Sequence, residues 1–83
     1  MNEYVVTFGQ KYAREIHPLL PGVHPDNWVV IEAPSLDAAR EAAYGALDEL
    51  FCDVYSPESW ADISHMFPGR EVARYRWAPE ATP

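Results

Sequence analysis

Along residues 3–12, EYVVTFGQKY, apolar side chains alternate between two faces. Tyr4, Val6 and Phe8 share one face, and Val5 and Thr7 share the other. β-branched and aromatic residues dominate, which predicts a strand, with Gly9 marking a bulge or its end. Residues 27–33, NWVVIEA, predict a second strand. Val29, Ile31 and Ala33 lie on one face; Trp28, Val30 and Glu32 lie on the other. Both faces are largely apolar, so this strand should be central and covered on both sides. An antiparallel hairpin is the simplest pairing for two consecutive strands.

The period then changes from two to 3.6. In 35–50, SLDAAREAAYGALDEL, Leu36, Ala39, Ala43, Leu47 and Leu50 form one stripe of a helix. Pro34 stops the strand, Ser35 is a good N-cap, and Asp37 sits in the first turn where the helix dipole favours it. The middle of the stripe is alanine, at Ala39 and Ala43, so the helix can approach a sheet closely. Gly45 costs about 0.5–1 kcal/mol relative to alanine and falls on the outward face, where close packing would need a partner molecule. In 51–56, FCDVYS, Val54 would continue the stripe, yet the composition suits a short strand. Ser56-Pro57 decides for a strand, because it is a start signal for a new helix over 57–66. Pro68-Gly69 turns the chain, and 70–77, REVARYRW, alternates as a last strand. These elements predict one α+β domain over 1–78, in the order β-β-α-β-α-β, and a flexible tail over 79–83. The expected core is Val6, Phe8, Val29, Ile31, Leu36, Ala39, Ala43, Leu47, Leu50, Val54, Trp60 and Ile63.

One segment fits neither period. The connection from Ala13 to Asp26 is about fourteen residues, where hairpin loops usually have about two to five. Its composition is not that of a linker: Ile16, Leu19, Leu20 and Val23 are apolar, and Pro18, Pro21 and Pro25 remove backbone freedom. His17 and His24 each precede a proline and should be extended. Leu20-Pro21-Gly22 suggests a type II turn. A preordered loop with apolar tips makes a contact surface; the plainer alternative is that Leu19, Leu20 and Val23 cap the end of the core.

Composition narrows the function. The net charge of −7 weighs against nonspecific binding to nucleic acid or anionic membranes and suits a basic partner. One cysteine, Cys52, allows no internal disulfide and fits a reducing compartment. The N-terminus reads as no signal peptide, and no apolar run approaches the ~20 residues a membrane helix needs. His17, His24 and Asp26, completed by His65 or Cys52, are of zinc-ligand type, but their spacing matches no zinc signature. A cysteine–histidine nucleophile pair has equally little support, and no phosphate-binding glycine loop or hydrolase motif is present, so neither cofactor nor metal is expected. By alternation Arg70, Arg74 and Arg76 share a face opposite Tyr75 and Trp77, which raises single-stranded nucleic acid as an alternative ligand. On a chain this acidic, those arginines more simply pair with carboxylates or protect a sheet edge.

The phrases TFGQKY, HPLLPGVHPDNWVVIEAP, DAAREAAYGAL and FPGRE cover most of the chain. In them it resembles a group of small proteins of unknown function encoded by actinobacterial phages. The likeness implies a phage accessory protein in the bacterial host cytoplasm. It agrees with the bias toward arginine over lysine and toward alanine that a GC-rich genome produces. The expected function is noncatalytic binding of a host or phage protein. The expected contacts are His17, Leu19, Leu20, Val23, His24 and Trp28 at the loop, and Asp37, Glu41, Asp48 and Glu49 on the acidic helix. A homodimer that buries Trp28 or Trp77 would complete a thin core.

Overall fold

Among the described residues, four strands and two helices follow one another in the order β-β-α-β-α-β, an α+β arrangement. The computed structural model describes residues 1–9, 12, 14–20 and 22–78. Strand β1 is Asn2–Thr7, β2 is Trp28–Ala33, helix α1 is Leu36–Leu47, β3 is Asp53–Tyr55, α2 is Pro57–Ile63 and β4 is Glu71–Arg76. A single 3-10 turn, Ser64–Met66, prolongs α2. The expected end of β1 at Gln10 and Lys11, the turn residue Pro21, the loop's first residue Ala13 and the tail 79–83 lie outside the described residues.

The sheet order is β3-β1-β2-β4. β1 pairs antiparallel with β2 and with β3, and β4 lies parallel to β2. The chain therefore crosses the sheet twice, through α1 from β2 to β3 and through α2 from β3 to β4. The two crossings run in opposite directions, so the right-handed rule requires the helices on opposite faces. The contacts put them there. Under α1 lie Tyr4 and Val6 of β1, Val29, Ile31 and Ala33 of β2, and Val54 of β3. On the other face Trp60 of α2 stacks on Trp28 (ring centroids 5.1 Å apart) and approaches Tyr55 (6.4 Å).

The alanine stripe explains the closeness of α1. Ala39, Ala43 and Leu47 are fully buried, and Ala38 nearly so. Each buried methyl contributes only about 0.8 kcal/mol, so Leu47 and the strand valines supply most of the apolar stabilisation. Ser35 caps the helix, its Oγ accepting from Ala38 N–H at 3.2 Å; Ser56 does the same for α2 through Ser59 N–H at 3.2 Å. Leu36, Leu50, Trp60 and Ile63 are only half-buried, while Tyr4, Val5, Tyr12, Val23 and Val30 belong to the buried set. α1 stops before Leu50 because Asp48 turns the chain at φ 57, ψ −130, letting Leu50 N–H reach Leu47 C=O at 3.0 Å. Glycine tolerates that conformation far better than aspartate. Asp48→Gly is expected to stabilise the fold by about 1 kcal/mol, read as a rise of about 4–8 °C in Tm.

β4 breaks the simple alternation. Trp28 pairs with Glu71 but Val29 with Ala73, so Val72 is an extra residue, a bulge. The bulge carries Glu71 onto the face of Arg74 and Arg76 and takes Arg70 out of their row, which corrects the expectation that the three arginines share a face. Arg74 there donates to Glu71 twice (2.9 and 3.0 Å), to Glu3 at 2.8 Å and to Glu32 at 3.1 Å. Glu71 first, then Glu3 and Glu32, raise its pKa above the ordinary guanidinium range.

Candidate functional site

The long connection between β1 and β2 is built around two His-Pro pairs. Proline has no N–H, so the histidine ring can reach the donors that follow it. His17 Nδ1 accepts from Leu19 N–H and Leu20 N–H, both at 3.1 Å. His24 Nδ1 accepts from Asp26 N–H at 3.2 Å. The two copies of this turn differ in burial: His17 is fully buried and His24 is exposed.

His17 is a brace rather than a ligand. With Nδ1 an acceptor, its proton is assigned to Nε2, which donates to Leu50 C=O at 2.7 Å. Its ring packs edge-on to Phe8 (5.4 Å) and tilted to Tyr12 (4.8 Å). The imidazole thus joins the loop to the turn after α1, and the chain itself uses both ring nitrogens. Histidine in a core is tolerated when it is satisfied this way.

A second clasp holds the other end of the loop. Asn27 Nδ2 donates to Gly22 C=O at 3.1 Å, and Asn27 Oδ1 accepts from Arg70 N–H at 2.9 Å. Gly69 N–H donates to Asp26 C=O at 3.0 Å, and Trp28 N–H to Arg70 C=O at 3.1 Å. The turn before β4 is therefore stitched to the start of β2. Between the clasps Val23 N–H bonds to Leu20 C=O at 3.0 Å, as the expected turn requires. Gly22 has no positive φ, however, so the turn is not type II.

These anchors sort the expected contact residues. His17 and Val23 are buried and present nothing to a partner; Leu20 is half-buried on the core, and Trp28 is half-buried beside Trp60. Leu19 is 50% exposed, and Ile16, which the pattern had not singled out, is 77% exposed. A pre-proline residue is extended, so neighbours of an inward His17 point outward; that signal could have found Ile16. Asp37, Glu41, Asp48 and Glu49 are all exposed.

The remaining candidate chemistry does not converge. Among the described residues no three His, Cys, Asp or Glu side chains are grouped to hold a metal. Cys52 is exposed, its N–H bonded to Thr7 C=O at 2.8 Å. Arg74 is engaged by three carboxylates, and Arg76 lies 3.6 Å from Glu32. Tyr75 and Trp77 pack on the α1 side instead, away from those cations. No described helix is long and apolar enough to cross a membrane. Compared with known protein families, curated proteins and solved structures, the chain matches none of them.

Proposed function

We propose that this chain is a noncatalytic interaction protein that docks onto another protein through Ile16 and Leu19. The acidic row of Asp37, Glu41, Asp48 and Glu49 orients it toward a basic surface. In keeping with the sequence resemblance, we place it among accessory proteins of actinobacterial phages that act in the host cytoplasm. One observation carries the reading. Hydrogen bonds from the buried His17 and from Asn27 hold a loop whose two large apolar tips face solvent. Scattered exposed apolar residues are ordinary on a surface. Tips held on a braced segment lose little conformational entropy on docking, which favours affinity. The net charge of −7 adds long-range attraction for a basic partner and repulsion for nucleic acid.

A photo-crosslinking residue in place of Ile16, in extract of an actinobacterial host, should give a discrete adduct. Leu19→Glu in the same chain should abolish it, and a crosslinker in place of the exposed Glu58 on α2 should not produce it. The same adducts from both positions, or none from Ile16 across several salt concentrations, would contradict the reading.

A further inference from the structure

The loop tips have apolar neighbours on another element. His17 Nε2 donates to Leu50 C=O at 2.7 Å, so the segment that carries Ile16 and Leu19 is tied to the turn after α1. The next residue in that turn is Phe51, half-buried on the core. Its ring meets the ring of Tyr44 edge-on, with centroids 5.1 Å apart. Five large hydrophobic side chains are exposed among the described residues. Three of them belong to this one corner: Ile16 at 77%, Tyr44 at 56% and Leu19 at 50%. Met1 and Met66 lie elsewhere, at the start of β1 and in the 3-10 turn. Scattered exposed apolar residues are ordinary, but a group of them rimmed by polar residues marks an interaction surface.

The rim of this corner is acidic. Asp48 and Glu49 separate α1 from Leu50, and Glu15 precedes Ile16. Asp48 stands one helical turn after Tyr44, and no base occurs between Glu41 and Asp53. The bases of the two segments are Arg14, before the loop tips, and Arg40, one turn before Tyr44. All of these side chains are exposed, and none forms an ion pair among the described residues. Glu15, Glu41, Asp48 and Glu49 thus outnumber the two arginines, and the carboxylates nearest Phe51 have no base between them.

Resting on the docking role of the loop, we propose that Tyr44 and Phe51 form the second half of the same surface. Its occupant is an apolar segment of a partner protein flanked by lysine or arginine. The apolar residues of that segment cover Ile16, Leu19 and the Tyr44–Phe51 pair, and its cations meet Asp48 and Glu49. A second copy of this chain on a twofold axis brings the same carboxylates together, and nucleic acid sets phosphates against them, so both fit less well.

The test is selection of mRNA-displayed random peptides on the whole chain, followed by NMR titration of the synthesised winners. Winners should carry lysine or arginine around an apolar stretch and shift the amides of Leu19, Tyr44, Leu50 and Phe51. Tyr44→Ala removes an exposed side chain, so it should keep the fold and weaken binding at least about tenfold. Asp48→Asn with Glu49→Gln keeps side-chain size, and asparagine tolerates the positive φ at position 48. This pair should weaken binding about three- to tenfold at low salt and reduce its salt dependence. Glu58→Gln on α2 should change nothing. Ile16→Glu with Leu19→Glu should abolish binding. If winners bind Tyr44→Ala unchanged but not the loop variant, docking by the loop stands and the enlarged surface falls. If they bind the loop variant unchanged, both fall. The proposal falls equally if no peptide is enriched, if winners are acidic, or if sedimentation shows a dimer that Tyr44→Ala dissociates.

Discussion

Replacing His17 by alanine is expected to destabilise the fold by about 3–5 kcal/mol, most of the stability of a domain of 83 residues. The imidazole is fully buried between Phe8 and Tyr12, so its removal leaves a cavity in a thin core. Leu50 C=O, Leu19 N–H and Leu20 N–H lose their partner at the same time. Each such group left buried and unpaired costs about 1–3 kcal/mol. Urea unfolding followed by tryptophan fluorescence measures the effect. His17→Asn can still place an acceptor near the Leu19 and Leu20 amides, so it should lose about half as much. A loss below about 1 kcal/mol for His17→Ala would show that the ring does not brace the loop.

Gly69→Ala is expected to cost about 2–3 kcal/mol, although the residue is exposed. A Cβ at this position would collide with Asn27 Oδ1 and come within 2.5 Å of the Asp26 carbonyl oxygen. Backbone cannot swing aside as a flexible side chain can, so the turn before β4 must separate from the start of β2. That separation breaks Gly69 N–H to Asp26 and Arg70 N–H to Asn27 together. Chemical-shift changes should centre on Gly22, Asn27 and Arg70. Combined with Asn27→Ala the losses should sum to less than the two single effects, because both substitutions open the same clasp. A Gly69→Ala protein as stable as the parent would rule the clasp out.

How much of this was legible depended on how local each signal was. Ser35, Pro34 and the 3.6-residue recurrence of Ala39, Ala43 and Leu47 act within one helix, and α1 formed where they pointed. Ser56-Pro57 likewise marked α2 and made 53–55 a strand. Tertiary facts were less visible. The bulge at Val72 shifts the register by one residue, so alternation placed Arg70 with Arg74 and missed the pairing of Arg74 with Glu71. Burial of His17 depends on the Leu50 carbonyl, 33 residues away in sequence. A period of two or 3.6 carries no such information, and an ionisable residue in a proline-rich loop reads as surface. The distinction between Val23, buried, and Leu19, exposed, has the same origin: it is set by what lies beneath the loop.

Docking through Ile16 and Leu19 requires a loop of fixed shape that displays both. The most direct measurement is the heteronuclear ¹⁵N–¹H NOE of the Ile16, Leu19, Leu20 and Val23 amides in the free protein, compared with those of β1 and β2. Values close to those of the strands, with slow hydrogen exchange at Leu19 and Leu20, are the predicted result. Low NOE values and unprotected exchange at those amides would contradict it.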